Sequence, residues 1–143
     1  MNLDITLVPL GNIARFIPVL LPYLEESAAR SRGRVVVDDI LGSLFSGRMA
    51  LWAVFDKDTS LIVGQFITEV KQYAQLKMLA IPYAAMEPNI MVEVEDAMQE
   101  IAGRYAVAHD CAGIEFVGRP GWKKHATKYG YSANSVTYQK FFE

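Results

Sequence analysis

The sequence predicts an α/β (α+β) domain built on one mixed sheet, and three observations carry that expectation. Short β-branched or apolar runs alternate with segments of helical spacing along the 143 residues. Between Met49 and Pro82, three apolar runs are joined by short turns, the pattern of an antiparallel meander. A helical stretch from Glu87 to His109 then separates the third run, Leu76–Pro82, from another at Ile114–Val117. A crossover of that length lets those two strands lie parallel within an otherwise antiparallel sheet.

The first run, Asp4–Leu10, reads as a strand, broken by Gly11. Asn12 is an N-cap candidate for a helix over Ile13–Arg30, with Phe16, Leu20, Tyr23 and Leu24 near helical spacing. Pro18 and Pro22 each remove a backbone donor, so a kink or a restart is expected there. Asp38 or Asp39 can cap a short helix through Phe45, which Gly47 would close. The meander follows as Met49–Phe55, a strand within Ser60–Tyr73, and Leu76–Pro82. In the next helix Val94, Met98, Ile101 and Tyr105 share an apolar face. After Ile114–Val117, Pro120 suits the first turn of a helix reaching Tyr129, with Gly130 ending it and Val136–Phe142 as a closing strand. The expected order is β-α-α-β-β-β-α-β-α-β, in one domain over residues 1–143.

Composition narrows the function classes. Hydrophobic residues make up 52% and charged residues 21%, a globular balance. With a net charge of −2, no broad attraction to nucleic acid or to an anionic membrane is expected. Cys111 is the single cysteine, so no intramolecular disulfide forms. MNLDITLVPL lacks the pattern of a signal peptide, and no apolar run is long enough to span a bilayer, so a cytoplasmic location is expected. His109, His125 and Cys111 are too few soft ligands for a metal site. GxSxG, P-loop and GxGxxG motifs are absent.

The order of elements resembles the GNAT superfamily of N-acetyltransferases over nearly the whole chain. GIEFVGRPGWKKHATKYGYSANSVTYQK is similar to the strand, helix, Gly-aromatic pair and closing strand that end GNAT domains, with Gly130-Tyr131 where Gly-Phe is usual. SGRMALWAVF, VGRPGW and KYGY together resemble small GNAT-like proteins of tailed bacteriophages and prophages, internal virion proteins among them. The resemblance implies that the parallel central pair splays apart at its C-terminal ends. It implies two functions of different class. One is a non-catalytic assembly, virion or ejection component, partnered by other phage proteins in the host cytoplasm or the particle. The other is an acyl-CoA-dependent N-acetyltransferase acting on an amine.

Acetyl-CoA is the cofactor that the resemblance implies, held by a Gln/Arg-x-x-Gly-x-Gly/Ala loop before the third long helix. The corresponding stretch is Pro82–Met91, with Tyr83, Ala84, Ala85, Met86 and Asn89 as the residues that would hold it. It contains no glycine, and Pro88 lacks an N–H where donors are wanted. Glu87, Glu93, Glu95 and Asp96 crowd the helix start and oppose a bound phosphate, each by ~0.3–1 kcal/mol. Weak or absent acetyl-CoA binding is therefore expected. The tyrosine that often protonates the departing thiolate is replaced by Ala126; His125 is the neighbouring acid.

Three side chains are catalytic candidates. Glu69, in the long central strand, suits a general base for an amine, or else a surface residue paired with Lys71 or Lys77. Glu115 lies in an apolar strand, where burial would raise its pKa, unless it pairs with Arg119. His125 is the candidate acid. In GRPGW, Arg119 offers a bidentate site for phosphate or carboxylate, and Trp122, Ala126 and Tyr129 share a helix face. Trp122 is expected to be mostly buried against Tyr105 or Phe116. Trp52, Phe55, Phe66 and Tyr73 read as sheet packing, Lys123, Lys124 and Lys128 as a solvated face, and His109 as a cap for carbonyls at a helix end.

Overall fold

The computed structural model describes residues 1–118 and 120–142. One sheet holds five strands in the order β1-β2-β3-β4-β5. They are β1 (Leu3–Leu7), β2 (Ala50–Asp56), β3 (Ile62–Gln72), β4 (Lys77–Met86) and β5 (Gly113–Glu115). The helices are α1 (Ile13–Arg30), α2 (Val37–Phe45), α3 (Met91–Ala108) and α4 (Lys123–Lys128). Strands β1 to β4 pair antiparallel. The crossover through α3 places β5 parallel to β4, as its length demands.

Alternation along the strands divides the core into two layers. Leu51, Ala53 and Ile67 face α1 and α2, where they join Leu20, Leu24, Ile40 and Leu44. Trp52, Val54 and Phe66 turn the other way, onto Ile90, Val94 and Met98 of the α3 side. The Trp52 ring stacks on Phe66 and meets Tyr105 edge-on. Phe55 is half-buried, and Tyr73 stands exposed beyond the end of β3.

Helix α1 runs unbroken from Ile13 to Arg30 with both prolines inside it, so it does not restart. Pro18 and Pro22 lie on its exposed side, where water meets the carbonyls that lose their donors. In α2 the Asp39 carboxylate accepts the Val36 N–H at 2.9 Å, and Gly47 closes the helix at φ 79°. Gly130 ends α4 in the same way, at φ 84°.

Two boundaries differ from expectation. Strand β4 does not end at Pro82 but continues to Met86. Its register against β3 shifts between Ile67 and Glu69, so Ile81 and Pro82 form a bulge, a place where a residue without an N–H costs no ladder bond. Val136–Phe142, expected as the closing strand, carries no strand. An extended segment becomes a strand only where an edge accepts its backbone, and these exposed residues belong to no ladder among the described residues.

Candidate active site

The β4–β5 ladder consists of Met78↔Gly113, Leu79↔Ile114 and Ala80↔Glu115. The expected parallel pairing is present; beyond Ala80, β4 runs on to Met86 while β5 stops, which leaves that part of β4 without a ladder partner on this side. The Glu87 N–H donates to Val63 O at 2.8 Å, which fixes the phase of the β3–β4 ladder. Tyr83 and Ala85 then belong to the pairs bonded to β3, while Ala84 and Met86 turn their N–H and C=O groups away from β3. Arg30 Nη1 reaches the Ala84 carbonyl at 3.4 Å. Four residues expected in a loop, Tyr83, Ala84, Ala85 and Met86, are thus strand residues, and two of them border an open edge.

The loop proper is short. Asn89 adopts φ 67°, a left-handed conformation that asparagine tolerates, so the turn is made without glycine. The Glu87 carboxylate accepts a 2.7 Å hydrogen bond from the Tyr23 hydroxyl. Burial and this bond push the Tyr23 phenol up to about 12. Two more of the carboxylates that crowd the start of α3 are paired. Glu95, buried, meets His125 Nδ1 at 3.1 Å and Lys128 Nζ at 3.5 Å. Asp96 accepts from the Tyr129 hydroxyl and lies 3.7 Å from Lys128, contacts that hold its carboxyl below the usual range. Lys128 thus offsets part of the negative charge at the start of α3, through Glu95 and Asp96.

Glu69 and Glu115 flank Ala80 in one cross-strand row on the α1/α2 face. Two strand spacings put their backbones about 10 Å apart. Glu69 bonds Arg48 at 2.7 Å rather than Lys71 or Lys77, and Arg48 also bonds Ser43. A carboxylate whose oxygen is taken by a guanidinium is poorly placed to accept a proton from an amine. Glu115, half-buried, accepts from the Tyr73 hydroxyl at 2.5 Å. On the same face an open pocket of about 440 Å³ is lined by Asp38, Asp39, Ser43, Arg48 and Tyr83. Burial pushes the Tyr83 phenol above its ordinary range, which keeps it a proton donor.

His125 and Trp122 belong to a second pocket, of about 450 Å³, on the α3 side with Met91, Val92 and Glu95. Trp122 is half-buried rather than mostly buried. It packs near Phe116, with ring centroids 6.5 Å apart, because α4 has no buried residue and leaves one flank of the indole open. Tyr105 is occupied by Trp52 and His109 instead. Arg119 lies outside the described residues. His109 donates from Nδ1 to the Tyr105 carbonyl at 2.9 Å, the helix-end role expected of it. Among the described residues, no three His, Cys, Asp or Glu side chains converge on a metal site, and no helix is long and apolar enough to cross a membrane.

Sequence reasoning missed Arg30, Arg48 and Tyr23. Local spacing marks Tyr23 only as part of an apolar helix face and does not mark Arg30 or Arg48; each acts across a gap in sequence that only the fold closes.

No protein-family model matches the sequence, and no curated protein does. Solved structures match over the full chain. Glucosamine-6-phosphate N-acetyltransferase from Arabidopsis thaliana aligns with a TM-score of 0.70 and 11% identity, covering 100% of both chains. A GCN5-related N-acetyltransferase from Ralstonia eutropha JMP134 aligns at 0.71 and 12%, covering 98% of this chain and 99% of that one. The fold is that of the GNAT acetyltransferases. A predicted acetyltransferase from Clostridium acetobutylicum, solved with acetyl-CoA, shares the GNAT fold at 0.69 and 10%, over 97% of this chain and 96% of its own. At such identities the likeness speaks for the GNAT fold, and function rests on the site itself.

Proposed function

We propose that this GNAT-fold chain is an acyl-CoA-dependent N-acyltransferase. The observation that carries the reading is the part of β4 beyond the end of β5, where the Ala84 N–H and the Met86 N–H and C=O face away from β3 and Arg30 reaches the Ala84 carbonyl. The pantetheine arm of an acyl-CoA is an extended chain with two amides, and it suits such an edge as a further strand would. Its pyrophosphate would lie at the start of α3, where Met91 and Val92 begin a helix with unsatisfied N–H groups. His125 and Lys128 offset the carboxylates there. The acceptor amine would enter from the α1/α2 face, through the pocket lined by Asp38, Asp39, Arg48 and Tyr83. Carboxylates at that mouth suit an ammonium group, and the Tyr83 phenol is a proton donor lining the same pocket.

The test is calorimetry and thermal melting with acetyl-CoA. A ligand bound only by the native state raises the melting temperature with its concentration. The reading expects saturable binding, release of free CoA when a panel of amines is added, and loss of turnover with retained binding in Tyr83→Phe. No stabilisation at millimolar acetyl-CoA would overturn it.

A second reading draws on the glycine-free Pro82–Met91 stretch and on Ala126 in place of a tyrosine. In it the chain is a non-catalytic GNAT-like component of a phage particle, partnered by other virion proteins. Failure of acetyl-CoA to bind, with the fold intact, favours that reading.

A further inference from the structure

Tyr23, Ser27 and Arg30 fall at steps of four and three along α1, one stripe of the helix. Their contacts show what that stripe faces. Tyr23 donates to the Glu87 carboxylate at 2.7 Å, Ser27 accepts from Gln65 Nε2 at 3.0 Å, and Arg30 Nη1 donates to the Ala84 carbonyl at 3.4 Å. The stripe therefore runs along the end of β4, from Ala84 to the residue that follows the strand. That span is three strand steps, about 10 Å. It is the part of β4 that continues beyond β5.

Positive charge is what a phosphate would find scarce there. The Met91 and Val92 N–H groups at the start of α3 are neutral donors. The turn before them has no glycine, and Pro88 has no N–H. Lys128 is already engaged by Glu95 and Asp96. Arg30 is held less firmly. Its bond to Ala84 is long, and its carboxylate partner is Glu26, one helical turn away at 2.5 Å, with the two side chains 50% and 40% exposed. An exposed i, i+4 pair of this kind is weak and easily exchanged. A guanidinium presents a planar fork of N–H donors that matches two phosphate oxygens, which neither a carbonyl nor a single carboxylate oxygen uses in full.

Given the acyl-CoA reading, we propose that Arg30 binds the phosphates of the donor, supplying from α1 the grip that a glycine-rich loop would supply from the backbone. Turning toward phosphate also releases the Ala84 carbonyl, which can then accept from an amide of the pantetheine arm. One side-chain movement thus serves both parts of the donor.

Isothermal titration calorimetry with acetyl-CoA, and with S-acetylpantetheine, which has the same arm and no pyrophosphate, tests the proposal. Arg30→Ala should weaken acetyl-CoA binding by roughly 10–100-fold, the loss of hydrogen bonds to a charged group, and leave S-acetylpantetheine unchanged. Arg30→Lys, a point charge without the fork, should fall between. Glu26→Gln removes the competing carboxylate and should tighten acetyl-CoA by roughly twofold. Wild-type affinity for acetyl-CoA should fall more steeply with salt than that of Arg30→Ala. Both side chains are exposed enough that all variants should melt with the wild type. An Arg30→Ala protein that binds acetyl-CoA as tightly as wild type overturns the proposal and leaves the acyltransferase reading standing. Equal losses for the two ligands overturn it as well, since Arg30 would then act on the arm or through the fold. If the arm alone binds too weakly to titrate, the salt slope decides, and equal slopes in wild type and Arg30→Ala overturn it. Saturable acetyl-CoA binding with no transfer to any amine sinks the acyltransferase reading instead, while the same titrations still decide the role of Arg30. A wild type that binds neither ligand overturns both.

Discussion

Tyr23 links α1 to the loop before α3 through a hydroxyl that donates to Glu87 at 2.7 Å. Burial, then this bond, lifts its pKa from 10.0 to about 12. The folded state therefore holds the phenolic proton more tightly than the unfolded chain does. That stability is fully present below the unfolded value, and it drains away as pH rises through the folded one. Between about pH 10 and 12 the urea midpoint of the wild type should fall more steeply than that of Tyr23→Phe, which has no phenol to ionise. At neutral pH the same substitution removes one hydrogen bond and should cost ~0.5–1.5 kcal/mol. Parallel slopes for the two proteins above pH 10 would mean that the bond does not form in solution. The pair is invisible in the sequence, because neither residue carries a local signal and the chain between them includes three strands and a helix. Asn89 is the opposite case. Its left-handed backbone could be foreseen from Glu87-Pro88-Asn89, a turn-forming run in which asparagine replaces the glycine sought there.

Elements were legible where a periodic pattern met a clear stop. Strands β2 and β3, α2 with Gly47, and α3 with His109 lie close to their expected places because each has a continuous apolar face and a terminating residue. Pro82 misled in β4, since a missing N–H ends a ladder only where a partner needs it, and a bulge does not. The prolines of α1 do not force a restart for a related reason, as exposure lets water replace the bonds they remove. Helix α4 shows what periodicity leaves out. Trp122 falls on a face with Ala126 and Tyr129, yet the helix is too short to bury that face and is held by His125, Lys128 and Tyr129 on Glu95 and Asp96. Trp122→Ala should accordingly cost about 1–2 kcal/mol, below the ~3–5 kcal/mol of a fully buried tryptophan. Trp52→Ala, in a ring stack with Phe66 and Tyr105, should reach that higher range. Chemical denaturation of both variants decides the matter. Equal losses would mean that Trp122 is a core residue after all.

At the scale of the whole molecule, the sheet is covered by two layers of unequal strength. Helices α1 and α2 bury Leu20, Leu24, Ile40 and Leu44 completely or nearly so, and α3 buries Val94, Met98 and Ala102. Helix α4 buries none of its residues, and residues 132–142 are exposed throughout. Fold class was legible because the two buried layers write their periods into the sequence. The closing strand was not, because its pattern records a capacity for pairing and the partner edge is not a property of the segment. Opening free energy follows buried contact, so the two parts should exchange their amide hydrogens by different routes. In native-state exchange, amides of β2, β3 and the central turns of α3 should exchange only through global unfolding. Amides of 123–142 should exchange through local opening, insensitive to low urea. Breaking the latch tests the assignment further: in the double variant His125→Ala, Lys128→Ala, Glu95 loses both partners and α4 should exchange faster still, while β2 and β3 stay protected. If α4 instead retains the protection of the core in that variant, packing through Trp122 and Phe116, and not the ion pairs, holds the last helix to the sheet.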